Sequence, residues 1–367
     1  MLALAHHLEA AITASECSDR ADVAPPTRLY ARADHPTSNV PCGPHCENAS
    51  ELATTQRCGV QQDRHEAVLS VLEQRGDVMI ERQRILLSLV DRAGGESPRT
   101  HLMKWLFLLR EEQPDSLGPS SFYEFIPYKS GPFSFQAYRD LSTLEDSGFL
   151  QQGEASVSIP ASAKRNVRDE VAKLPRRATR GVDEVLEDYG RVSRRKLLDD
   201  VYDRYPWYAS RSELRPRKQA KAAAPAVYTV GYEGRTIDGL LDHSLRAGMR
   251  RLIDVRKNAM SRKYGFGGRT IARLCADVDI EYVHVPAVGI PSSMRTDLST
   301  QATYDRLFDL YEKKILPGAT EAIEAVAVLC AEKASALMCF EASSCQCHRG
   351  RLASWVADKA GLGIKHL

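Results

Sequence analysis

Near the C-terminal end of this 367-residue chain, Glu341 is followed by Cys345, Cys347, His348, Arg349 and Arg351. One short run thus holds a carboxylate, two thiols, an imidazole and two guanidinium groups. A thiol flanked by His and Arg near a helix start can be acidified and attack as a thiolate, which would make Cys347 a nucleophile. Cys345, Cys347 and His348 could instead ligate a metal, but a Cys-x-Cys-His run without a second ligand pair is poor zinc spacing. In a third reading Cys347 packs under the loop while His348 and Arg349 orient the carboxylates. These readings stay open, and no metal or cofactor is assigned.

Two other stretches carry matching chemistry: Tyr232-Glu233, and Asp254-Val-Arg256-Lys257 with Arg262 and Phe266 beyond it. Asp254, Glu233 and Glu341 are candidate general acids, bases or glycosidic nucleophiles, with Tyr232 beside them. Arg256, Arg262 and Arg349 could clamp a phosphate in bidentate fashion, with Lys257 and Phe266 completing a substrate-binding set.

The elements that must position these groups are legible in the hydrophobic pattern. Val227–Gly231, Arg251–Arg256, Glu281–Val285 and Ala336–Phe340 read as strands, with a short last strand at Ile364–Leu367. Thr236–Met249, Tyr304–Lys314, Thr320–Glu332 and Leu352–Lys359 read as helices. Alternation of this kind predicts an α/β, Rossmann-like domain over 226–367 with a mainly parallel sheet. Ligands collect outside the carboxyl ends of such strands, so Tyr232, Glu233, Asp254, Arg256, Glu341 and His348 are expected to share one crevice. Gly265-Phe-Gly267-Gly268 lacks the register of a phosphate loop and is expected to be a mobile cover.

The stretches Thr229-Val-Gly231-Tyr232-Glu233-Gly234-Arg235, Ile253-Asp254-Val-Arg256-Lys257, Ser261-Arg262-Lys263, Phe266, Glu281-Tyr-Val-His284-Val-Pro and Glu341 to Cys347-His348-Arg349 resemble the domain-of-unknown-function 488 family. The resemblance runs from about Tyr228 to Leu367. It implies the fold and a common set of polar residues, and it implies no reaction.

Upstream the character changes. Ile85, Leu86, Leu89 and Val90, then Leu102, Trp105, Leu106 and Leu109, then Phe135, Tyr138, Leu141 and Leu144 recur at helical spacing, and Phe149–Ile159 alternates like a hairpin. With a first helix around Val68, Val71 and Leu72, this order predicts a mainly helical winged helix-turn-helix domain over 66–160. The Tyr-Lys-Ser-Gly-Pro-Phe-Ser segment and the Leu-Glu-Asp-Ser-Gly-Phe-Leu that follows resemble winged-helix modules related to Panacea-type antitoxin domains. That resemblance implies nucleic-acid contacts from Lys129, Ser130, Ser134, Gln136 and Arg139; protein contacts or dimerisation are the alternative use of the same module. Residues 161–225 read as a charged helical connector ending in a basic linker, Arg215 to Pro225. Residues 1–65 read as a poorly ordered leader, in which Cys42, His45, Cys46 and Cys58 could close a zinc tetrahedron.

Composition bounds the reading. With 43% hydrophobic and 27% charged residues the chain has material for two cores, and nine irregularly spaced cysteines argue against a disulfide framework. No run of about 18 apolar residues occurs, so no membrane partner is expected and the location is taken as cytoplasmic. A net charge of +2 gives nucleic-acid binding no global support. The expected function is nucleic-acid-directed hydrolysis, by DNA base excision or a related cleavage in repair or defence. The rivals are a ligand-sensing DNA-binding regulator and a cysteine-dependent enzyme of sulfurtransferase or phosphatase type. DNA is the expected partner, and a second copy of the chain is left open.

Overall fold

The runs that lack polar alternation are buried on both faces of a sheet. β6 (Val227–Gly231) and β9 (Ser335–Cys339) are buried at every position and lie at the sheet's centre, as expected for strands covered on both sides. In the computed structural model, which describes residues 79–118, 122–215, 221–295, 298 and 300–367, they pair in parallel. β7 (Arg251–Asp254) joins β9, β8 (Glu281–His284) joins β7, and β10 (Ile364–His366) joins β6. The resulting five-stranded sheet, ordered β10-β6-β9-β7-β8, is parallel throughout.

Strand alternation sends side chains to two cores. Val227, Ile253, Leu337 and Cys339 meet α9 (Gln301–Lys314), α10 (Thr320–Glu332) and α11 (His348–Ala360). Tyr228, Val230, Leu252, Ala336 and Met338 meet α7 (Ile237–Arg246) and α8 (Gly268–Ala276) on the other face. Each boundary has a local cause. Thr236 caps α7 by accepting from Gly239 N, and α11 stops at Gly361, whose φ of 65° suits a residue without Cβ.

Before the sheet come α1 (Glu81–Arg92), β1 (Glu96–Pro98), α2 (Arg99–Glu112), the hairpin β2 (Ile126–Tyr128) and β3 (Gly131–Phe133), α3 (Phe135–Asp146), β4 (Gln151–Gln152) and β5 (Ser156–Ser158). β1, β5 and β4 form an antiparallel sheet in that order. The charged segment after it folds as α4 (Lys164–Val171), α5 (Arg176–Tyr189) and α6 (Arg194–Arg204). These helices are not a solvated connector: α4 and α5 pack on α1, and α5 and α6 on α2. Val167, Ala178, Val182, Val185, Leu197 and Val201 are the buried stripe, which the sequence hid among charges.

Ile80–Leu367 forms one compact unit, so the boundary expected near 225 does not separate the helical part from the sheet. Ile126 and Phe135 belong to the same core as Tyr232, Leu240 and Phe266, which joins the two by apolar burial. The helix expected around Val68 and the zinc set Cys42, His45, Cys46 and Cys58 lie outside the described residues. Among the described residues no helix is long and apolar enough to cross a membrane.

Candidate functional site

The carboxyl ends of β6, β7 and β9 do gather the polar residues, but on both faces of the sheet, so the expected single crevice is two clusters.

The first lies on the α7–α8 face and is closed. Asp254, fully buried at the end of β7, accepts from Arg256 N (3.1 Å), from Arg256 Nε (2.9 Å to Oδ1) and Nη2 (2.5 Å to Oδ2), and from Tyr282 Oη (2.6 Å). Arg256 continues the network through Nη1 to Tyr232 Oη (2.9 Å) and Nη2 to Phe266 O (3.0 Å). Tyr232 stacks on Phe266 with centroids 4.1 Å apart. Burial pushes the Tyr232 and Tyr282 hydroxyls above their ordinary range, so both stay protonated, Tyr282 donating to Asp254 and Tyr232 accepting from Arg256. Asp254, expected as a general acid, base or nucleophile, and Arg256, expected as a phosphate clamp, are thus buried and paired with each other, and Phe266, expected as a substrate contact, is buried beside them. Their polar atoms serve one another, and Phe266 is core.

The second cluster lies on the α9–α11 face and is incomplete. Cys339 ends β9, and Cys347 and His348 begin α11; all three are buried, with their ligand atoms within 4.8 Å of one another. Cys339 Sγ is 3.7 Å and Cys347 Sγ 3.9 Å from His348 Nδ1. His348 Nε2 lies 3.0 Å from the Val255 carbonyl and must donate to it, so Nδ1 presents a lone pair to the two thiols. Tyr311 stands edge-on to the imidazole at 5.5 Å. Glu341, half-buried, has Oε2 3.6 Å from Cys339 Sγ. Glu341 and His348 line a small pocket with Arg295, Gln346 and Tyr304.

Burial, then the neighbouring Cys339, pushes the Cys347 thiol well above its usual range, the opposite of what a nucleophile needs. Arg349 is buried and braces the loop: its Nη1 donates to Glu341 O and Nη2 to Ala342 O at 2.8 Å. Gly231 lets this loop cross close over β6, since a Cβ there would collide with the Glu341 carbonyl. Glu233, Lys257 and Arg262 are exposed, and Glu233 accepts from Ala342 N at 2.9 Å.

The residues expected on nucleic acid are also divided. Ser134 is buried and donates to Asp238 Oδ2 (3.0 Å), which also accepts from Gln136 N (3.0 Å), while Asp238 Oδ1 accepts from Phe135 N (2.8 Å). Asp238 belongs to α7, so the N-terminal end of α3 is capped from the sheet domain and closed to a groove. The Gln136 side chain donates to Asp140. Arg139 is exposed on α3, while Lys129 and Ser130 form the turn between β2 and β3, where Lys129 pairs with Glu213 at 3.7 Å.

Sequence reasoning passed over Cys339, Tyr282 and Asp238. Cys339 was visible, since it shares the parity of Leu337 on the strand that ends at Glu341. Asp238 carried no signal beyond the usual acid in a helix's first turn.

Fold and site together define a parallel α/β domain with one saturated and one open polar cluster, docked on a helical module with a small antiparallel sheet. The model of the family described as domain of unknown function DUF488 matches residues 236–356, which span α7 to most of α11 and include Asp254, Arg256, Glu341, Cys347 and His348. No curated protein and no solved structure matches the chain.

Proposed function

We propose that this protein is a nucleic-acid-binding regulator: a winged helix-turn-helix module whose binding state is coupled to an α/β receptor domain. The order α1, β1, α2, α3, β4, β5 with strand order β1-β5-β4 supports the winged-helix assignment. The observation that carries the regulatory reading is the buried clasp of Asp238 on α3. It ties α3 to the first turn of α7, so a shift of the α/β domain would be passed to the module whose α1 carries α4 and α5.

A pocket of about 140 Å3 adjoins this clasp, lined from both sides by Arg110, Glu124, Arg235, Asp242, His243 and Arg246 among others. The Arg235 guanidinium has no hydrogen-bond or ion-pair partner among the described residues. The volume is below the roughly 300–1,000 Å3 of drug-sized sites and suits an anion of phosphate or small-carboxylate size. An effector held there would touch both halves.

The polyanion is best met by α4 and α5. Lys164, Arg165, Arg168, Arg176 and Arg180 are exposed and without ion pairs among the described residues, whereas the exposed end of α3 carries Glu145 and Asp146. Anisotropy of a labelled DNA duplex against salt tests this. The logarithm of affinity should fall with the logarithm of salt, and R165Q/R168Q/R176Q should flatten that slope by about 1 for each phosphate contact removed. An unchanged slope in the triple variant would refute the surface.

A hydrolase acting on nucleic acid remains the second reading, favoured by Glu341 and His348 lining one pocket at the strand ends. It requires release of base or nucleotide from DNA that E341Q abolishes without loss of binding.

A further inference from the structure

We propose that Cys339, Cys347 and His348 form a binding site for a thiophilic divalent transition metal, with zinc the best fit, and that its fourth position opens toward the pocket lined by Glu341 and Arg295.

The geometry is that of a ligand set already in place. Zinc–sulfur bonds of about 2.3 Å and zinc–nitrogen bonds of about 2.0–2.1 Å at tetrahedral angles require sulfur-to-nitrogen edges of about 3.6 Å. The two found here are 3.7 and 3.9 Å. A zinc–oxygen bond of about 2.1 Å would require a sulfur-to-oxygen edge of about 3.6 Å, and Glu341 Oε2 stands 3.6 Å from Cys339 Sγ. Glu341 is therefore placed either to close the tetrahedron or to hydrogen-bond a water that does.

The surroundings complete the argument. Metal-bound imidazoles use their second nitrogen to hydrogen-bond a carbonyl or carboxylate, which fixes the tautomer and the ring. His348 does this through Nε2 to the Val255 carbonyl, and Tyr311 holds the ring edge-on. Cys347 is the N-cap of α11, yet its side chain makes no capping hydrogen bond, which leaves its sulfur turned to His348 and Cys339. Two thiols and an imidazole select zinc and its thiophilic neighbours over magnesium or calcium, which take oxygen. On binding, each thiol gives its proton to solvent, so the ion enters with the loss of two protons and no change in oxidation state.

This inference is independent of the regulatory reading, because metal uptake is measured without nucleic acid. The experiment uses the full chain, reduced and stripped of metal, carrying C17S/C42S/C46S/C58S so that the N-terminal thiols contribute nothing. Cobalt(II) is titrated in and displaced with zinc against a chromophoric chelator. The expected result is one equivalent of cobalt with a thiolate-to-cobalt charge-transfer band and the visible bands of a tetrahedral site. C345A, which removes an exposed thiol two positions from Cys347, should leave this unchanged. C339A, C347A and H348A should each weaken zinc by more than about 100-fold. A second readout does not depend on those variants folding: zinc should shield two thiols of the background protein from alkylation, and peptide mapping should identify them as Cys339 and Cys347. A cobalt complex lacking the charge-transfer band, shielding of other thiols, or loss of the site in C345A would overturn the proposal. So would recovery of a Cys339–Cys347 disulfide with no metal uptake from protein kept reduced throughout.

Discussion

The clusters on the two faces of the sheet stand at the ends of neighbouring strands and differ in how far their polar atoms are engaged. Around Asp254 both carboxylate oxygens accept, the Arg256 guanidinium is spread over a carboxylate, a phenol and a carbonyl, and the aromatic rings seal the group from water. Around His348 the imidazole lone pair faces two thiols, which are weak donors, and a half-buried carboxylate stands at the rim. Buried polar groups that satisfy one another hold a fold together, whereas a buried cluster that stops short of satisfaction has capacity left for something that is not protein. Residue types alone suggested the reverse, with chemistry assigned first to the acids and arginines.

The largest expected effect lies in the closed cluster. Arg256→Met leaves Asp254 buried with only Tyr282 and a backbone amide as donors, and breaking one partner of a buried ion pair costs about 3–5 kcal/mol. Urea unfolding monitored by far-ultraviolet circular dichroism should show a midpoint well below that of the parent chain. A variant of near-parental stability that lost ligand binding instead would mean that Arg256 serves a substrate after all.

Much of the fold could be read in advance. The parallel sheet and its covering helices follow from unbroken apolar runs such as Val227–Gly231 and from periodic stripes such as Leu240, Leu241 and Leu245, because burial on both faces leaves no other pattern. β1 was missed because three residues ending in Pro98 carry no periodicity, and its place is fixed by pairing with β5. α4 to α6 were read as a charged connector because single apolar residues such as Val167 meet α1 only in the folded chain. The candidate site was legible as a set of residue types at strand ends. It was not legible as two clusters, because a shift of one position along a strand changes face and the turn after each strand decides which residue comes last. Cys345 and Cys339 show the difference: the thiol two positions from Cys347 is exposed, and the one eight positions away on β9 touches His348.

A second carboxylate sharpens the contrast. Asp238 is as buried as Asp254 but faces neutral donors in place of a guanidinium, and burial pushes its carboxyl up to about 7 against the pull of the Gln136, Phe135 and Ser134 donors. The ordinary value in an unfolded chain is about 3.9. A raised acid binds more protons in the native state across that interval, so its contribution to stability is present below about pH 4 and is lost as pH rises through about 7. Asp238→Asn removes one of the two acceptor oxygens and should cost about 1–3 kcal/mol. The difference in melting temperature between parent and variant should shrink steadily from pH 4 to pH 7. A difference that stays flat over this range would show that Asp238 does not titrate there and that the clasp holds a permanent anion.

The smallest effect belongs to the open cluster. Cys347 makes no capping bond, and its thiol touches only other weak partners, so Cys347→Ala in metal-free protein removes little more than one buried sulfur. At about 0.8 kcal/mol per buried methylene-sized group, the cost is about 1 kcal/mol. The same substitution measured with saturating zinc should cost several times more, because the parent then gains binding free energy that the variant cannot. Thermal unfolding of both proteins with and without zinc separates the two cases. Equal losses under both conditions would make Cys347 a core residue like any other, and the two faces of the sheet would then differ in composition but not in role.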